Sequence, residues 1–290
     1  PHECSSAASD VYKRQDRYQP VFEDTGIWHV GTDGEHLIFG SIHKTWALID
    51  GEPVQISQSE GWLKDSALDE RGRLWLPDAE GLTWLLDGVP SHLSIAGAGL
   101  NNVESMLVDR EGSLWLGTND NGLVQLWDPH LSRPPSLQYA THAVVEDDDG
   151  VLWMVGDSGL IQMAPGEPPI THPAPEATMV MALELDNEGT LWASGWTKIL
   201  TWDGDWTLQY EHSDTLNIRA LHHAPDKRVW VGTNGQGLFE LADGALHPVA
   251  GLEGETIQRL LTTPDGALWI GTSWGVARLR EGVLTRIGEA

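Results

Sequence analysis

The chain has 290 residues, 40% of them hydrophobic and 21% charged, a composition that can bury a full globular core. Its 17 Lys and Arg stand against 43 Asp and Glu, and a net charge of −26 repels phosphate backbones and anionic lipid faces, which excludes nucleic acid and direct membrane insertion as expected partners. The longest apolar run, Met179 to Leu183, is five residues, far short of the ~18 a membrane-spanning helix needs.

At the start of the chain, Asp10-Val11-Tyr12-Lys13-Arg14-Gln15 resembles an in-frame translation of the transposase end used to build sequencing libraries. Residues 1–15 are therefore read as an adapter artefact on a metagenomic fragment and set aside from the fold. The only cysteine, Cys4, goes with them, so the remainder offers no disulfide, thiolate metal ligand or cysteine nucleophile.

From residue 16 onward one phrase recurs: Gly72-Arg73-Leu74-Trp75-Leu76, Gly112-Ser113-Leu114-Trp115-Leu116-Gly117, Gly150-Val151-Leu152-Trp153-Met154, and again around Trp192, Trp230 and Trp269. A weaker first copy, Gly34 to Gly40, has Ile38 in the tryptophan position. The anchors are spaced 37, 40, 38, 39, 38 and 39 residues apart, and seven units fill 16–290. Within the third unit, Asn102 to Val108, Leu114 to Thr118 and Leu123 to Trp127 read as three strands. Asp109 to Gly112 and Asn119 to Gly122 form the turns between them, and a looser fourth strand follows. Four strands of ~5 residues with connections of ~4 account for the period. One such sheet cannot bury both faces, so the fold class predicted is all-β, a seven-bladed β-propeller of four-stranded antiparallel blades. Each anchor tryptophan is then wedged between neighbouring sheets, which explains six of the fifteen. Asp16 to Phe22 is left as an extra outer strand or the tail of something upstream.

These phrases resemble the two-component regulator propeller repeat. The likeness is carried by Leu114-Trp115-Leu116-Gly117-Thr118 through Leu126, by Val229 to Thr233 with Gly237 to Leu241, and by Leu268 to Thr272 with Gly275 to Leu279. Units two, four and five depart from it after the tryptophan, at Pro77, Val155 and Ala193, and unit one lacks the tryptophan. The resemblance implies the extracytoplasmic, periplasmic input region of a sensor, followed in the whole receptor by a transmembrane segment and a histidine kinase or diguanylate cyclase. It implies as partners the adjacent receptor segments or a second propeller. The recurring Gly-His and Trp-Asp signature of WD40 scaffolds is missing.

In a propeller the first strand of each blade lines a central channel. Twelve residues before the anchor lie Leu63, Val103, Thr141, Val180, Ile218 and Ile257, nearly all apolar. One residue further on lie Lys64, Glu104, His142, Met181, Arg219 and Gln258, and alternation along a strand turns this second set to the channel mouth. Such a ring suits an asymmetric polar small molecule, and a water-filled channel lined by tolerated polar residues is the plainer alternative. Trp196 and Trp274, on turns between second and third strands at the same face, are stacking platforms or covers for their own blades. Together with the family resemblance, they make an oligosaccharide a candidate ligand. Trp62 and Trp28 could join them.

No catalytic residue, metal or cofactor is expected. Gly271-Thr272-Ser273-Trp274-Gly275 fits a nucleophile pattern that needs a strand-to-helix elbow, yet it aligns with hairpin turns. Gly232 to Gly237 is glycine-rich but precedes a strand and lacks a lysine. His222 and His223 are adjacent on a strand and point apart, and Glu146 to Gly150 reads as a solvated turn. Two rivals stay open. One is a free-standing lyase or hydrolase like the streptogramin lyases, with His142 and Glu104 as the nearest acid–base pair, although those enzymes carry Phe-Thr-Glu where this chain has Leu-Gly-Thr. The other is a protein-interaction platform.

Overall fold

The computed structural model describes residues 26–287, apart from 43, 51, 59–63, 79–80, 87–88, 95–101, 128–129, 133–139, 157–158, 176–179 and 213–215. The adapter-like segment, the strand considered for Asp16 to Phe22, Leu63 and Trp62 all lie outside them. Seven four-stranded antiparallel sheets follow one another, spanning 29–58, 67–94, 103–132, 141–172, 182–211, 218–248 and 257–287. In every sheet the strands pair in chain order, so each blade is drawn from one continuous stretch. The third blade shows the plan with Val103–Val108, Leu114–Thr118, Gly122–Trp127 and His130–Ser132. The chain is a seven-bladed β-propeller.

The repeated phrase has a physical reading at each position. The anchor tryptophan lies on the second strand and packs onto the following blade. Trp75 meets Val103 and Met106, Trp115 meets Val144 and Leu152, Trp153 meets Val180 and Leu183, Trp230 meets Ile257 and Leu260, and Trp269 meets Ile27 and Phe39. Ile38 takes the same place in blade one, against Leu74 and Leu76 of blade two. The glycine two residues on is needed because the next blade approaches there. A Cβ on Gly117 would sit 3.1 Å from the Thr141 carbonyl oxygen, and one on Gly271 3.2 Å from that of Ile27. The threonine after it closes the next turn: Thr118 Oγ1 donates to the Gly122 carbonyl at 2.8 Å and accepts from the Asn121 amide at 3.0 Å, and Thr233 repeats this with Gly237 and Gln236.

A second device lies six residues before the anchor. Asp109 Oδ1 accepts from the backbone amides of Glu111 and Ser113, fixing the turn, while Oδ2 accepts from the Trp115 indole at 2.7 Å. Asp69, Asp147 and Asp186 hold Trp75, Trp153 and Trp192 in the same way. Burial alone would push the Asp69 and Asp186 carboxyls up. The hydrogen bonds from the indoles and turn amides, with Arg73 adding to Asp69, outweigh it and hold both below the ordinary carboxylate range. In blade seven Thr263 substitutes at 3.3 Å. In blade six the position is Ala224, and among the described residues the buried Trp230 Nε1 has no hydrogen-bond partner. The turn itself is unchanged, with the Ala224 amide donating to the Arg228 carbonyl at 2.8 Å. Ala224→Asp is therefore expected to raise stability by about 1 kcal/mol, the worth of a satisfied buried donor. Urea denaturation reads this directly, and an unchanged or lower midpoint would contradict it.

Four of the nine remaining tryptophans pack as well. Trp84 lies 5.1 Å from Trp75, Trp202 lies 5.1 Å from Trp206, and Trp46 is buried in the joint between blades seven and one. The acidic run at Glu146 is more than a solvated turn. Glu146 accepts from the Arg110 amide at 3.0 Å and from its Nε at 2.8 Å, tying blade four to blade three, and Asp147 is the holder of Trp153.

Candidate ligand site at the channel mouth

The six ring residues sit at the start of the first strands, on the face that carries the turns between second and third strands. Simple alternation does not put them there. In blades three, four, six and seven the register of the first strand against the second slips by one residue. Thr118 pairs with Val103 and Gly117 with Ser105, so Glu104 is the extra residue of a bulge. His142, Arg219 and Gln258 occupy the same place. In blade five both Met181 and Ala182 oppose Ser194. Bulges re-aim side chains in this way, commonly at rims. The residue before each bulge is buried, as Val103, Thr141, Val180, Ile218 and Ile257 are, while the ring residues themselves are half-buried or, for Arg219, exposed.

Blade one supplies a seventh member that spacing from the anchor misses. Trp28 and His29 both oppose Gly40, and buried Ile27 matches Ile257, so Trp28 is the ring residue. The blade is one residue shorter between its first strand and Ile38, which shifts the count. Matching Ile27 to the buried apolar set would have found it.

The ring is electrostatically organised. Lys64 forms a close ion pair with Glu104 of the next blade. Arg219, from the other side of the channel, lies over the Trp28 ring with its guanidinium carbon 5.0 Å from the centroid. Burial lowers the Arg219 pKa from its ordinary value, and the Glu104 charge opposes that fall. The following layer is a second network. Asp65 accepts from Arg259 of blade seven at 2.9 Å and from the Met106 amide of blade three at 2.9 Å. His29 is enclosed there, its Nε2 2.8 Å from Ser66 Oγ and its Nδ1 3.7 Å from Asp65. Burial pushes the His29 pKa down to about 4; Asp65 opposes that, while Arg259 adds to it.

Trp196 and Trp274 stand at this face with 52% and 37% of their surface exposed. The Trp196 carbonyl accepts from the amide of Ile218, the residue before Arg219, and the carbonyl of Thr272 accepts from that of Ile27, the residue before Trp28. Each exposed indole is thus on a turn whose backbone is hydrogen-bonded to the residue before a ring residue of the next blade. The segment around Ser273 is a strand-to-strand hairpin in which Thr272 pairs with Gly275, without the elbow that a nucleophile needs. Of the acid–base pair weighed from sequence, Glu104 is engaged by Lys64. His222 and His223 part as expected. His222 bridges Glu184 at 2.7 Å and Thr262 at 2.9 Å, and His223 lies against Trp192. Among the described residues no group of three His, Cys, Asp or Glu side chains is placed to hold a metal ion.

Comparison with known proteins agrees with this architecture. The family model for the two component regulator propeller matches residues 97–120. Its fold is similar to the extracellular domain of a one component system from B. thetaiotaomicron, with a TM-score of 0.77 at 16% identity over 89% of this chain. It is also similar to the extracellular domain of a hybrid two component system from that organism, with a TM-score of 0.74 at 14% identity over 89% of the chain. The chain spans 38% and 39% of the length of those two domains. A streptogramin B lyase matches with a TM-score of 0.77 at 12% identity, over 92% of this chain and 95% of that one. No curated protein matches by sequence.

Proposed function

We propose that the propeller is an extracytoplasmic, non-catalytic sensing module of a two-component-type receptor, with the ring at the channel mouth as its recognition surface for a polar small molecule. The observation that carries this reading is the coincidence of two independent likenesses. The matched repeat and the extracellular domains of similar fold point to one class of receptor. No helix among the described residues is long and apolar enough to cross a membrane, so in this reading the anchor and the output belong to other segments of the receptor. Further receptor segments or a second propeller would pack beside this one, in keeping with the 38% share of the similar domain that it spans. A ligand would act by favouring one arrangement of those neighbours, since binding shifts only states it distinguishes. Sequencing the source locus through both ends of the reading frame tests this. Continuation into a membrane helix and a kinase or cyclase supports it. A leader immediately upstream together with a stop codon after Ala290 overturns it.

The fold match to a streptogramin B lyase over nearly the whole of both chains favours one second reading, an enzyme. Loss of a streptogramin B on incubation with the protein, abolished by Glu104→Gln, would replace the sensor with a lyase.

A further inference from the structure

We infer that the mouth receives an anion, a small ring-bearing carboxylate whose oxygens Arg219 binds while Trp28 backs the guanidinium. This deepens the reading of the mouth as the recognition surface and rests on it. The charge count comes first. The ring and the layer beneath it hold three cations, Lys64, Arg219 and Arg259, against two carboxylates, Glu104 and Asp65, an excess of positive charge on a molecule of net charge −26. Each carboxylate has its cation: Glu104 is paired with Lys64, and Asp65 with Arg259. Arg219 is the surplus, and among the described residues it makes no hydrogen bond or ion pair.

Its setting favours an external acid. The Trp28 indole lies against the guanidinium, its centroid 5.0 Å from the guanidinium carbon, and a guanidinium carries five N–H donors in a fixed planar fork. That fork matches the two oxygens of a carboxylate, and partial dehydration strengthens the bond that replaces water. Burial already disfavours the lone charge, which an arriving anion would relieve. Glu104 faces Arg219 closely enough to be felt, but its hydrogen bond is spent on Lys64. The exposed indoles of Trp196 and Trp274, on turns whose backbone is hydrogen-bonded to the residues before Arg219 and Trp28, supply flat faces for the body of the ligand.

The test uses the full chain labelled with nitrogen-15 and the indole N–H resonance of Trp28, identified by its loss in Trp28→Phe. Three probes are titrated at constant ionic strength: glucuronate as a sugar acid, benzoate as an aromatic acid, and glucose as the neutral counterpart. A saturable shift with either acid and none with glucose is expected, and the acid that shifts it names the ligand body. Arg219→Gln, at an exposed position, should stay folded and weaken that binding at least about tenfold, with Arg219→Lys recovering only part of it. Equal shifts from glucose and glucuronate would overturn the carboxylate while leaving the mouth as a recognition surface. Acid binding that survives Arg219→Gln unchanged would overturn the assignment to Arg219. No shift from any probe would overturn the inference and the mouth reading together.

Discussion

Replacing Trp115 with alanine lowers the unfolding free energy by about 3–5 kcal/mol, the range for deleting a large aromatic from a packed core. The side chain is 5% exposed and fills the joint between blades three and four, against Val144, Leu152, Met154 and Ile161. Neighbouring blades meet chiefly through side chains, so a void there cannot be closed by a small shift within one sheet. Trp115→Phe separates the two parts of the loss. It keeps most of the ring but leaves Asp109 Oδ2 without its indole donor, and should cost about 1–2 kcal/mol. Urea denaturation of the two variants measures both, and a midpoint unmoved by Trp115→Ala would show that the anchor is not a wedge.

Acid should weaken the protein well before its carboxylates titrate. The His29 imidazole is held neutral down to about pH 4 in the fold, whereas in the unfolded chain it takes a proton near its ordinary value of 6.5. As the pH falls between these values the unfolded state binds the proton and the native state does not, so stability declines across that window by about 3 kcal/mol in total. Of the charged groups facing His29, Asp65 favours the imidazolium and Arg259 opposes it, and burial outweighs what Asp65 supplies. The depressed carboxyls of Asp69 and Asp186 act lower, losing their contribution only below the ordinary carboxylate range. His29→Gln should flatten the slope between pH 6.5 and 4 and leave the steeper loss below it. An unchanged slope in that variant would assign the decline to other groups.

The blades were legible in sequence because their cause is local and periodic. A tryptophan every 38 or so residues in six units, a glycine two positions after the anchor in four, and turn glycines at fixed offsets answer constraints set within a unit or by its next neighbour. The aspartate six residues before the anchor was equally legible, in four of seven units, but it reads as turn polarity until the indole it holds is seen. The channel was legible by position and not by partnership. Counting from the anchor found Lys64, Glu104 and Arg219, yet Lys64 with Glu104, and Asp65 with Arg259, are pairs between blades, and no period in the chain encodes who faces whom across an axis. Trp28 escaped the count because blade one lacks both the tryptophan and one residue before its anchor.

Because every blade comes from one unbroken stretch, the joint between blades seven and one resembles the others. The Ile27 amide meets the Thr272 carbonyl there much as Ile218 meets Trp196 two joints away. Among the described residues no strand is shared between blades seven and one. Pulled by its two ends, the molecule should give way at that joint first and then shed its sheets singly, each rupture releasing a nearly equal length of chain. A circular permutant begun at any inter-blade crossover should close into the same ring.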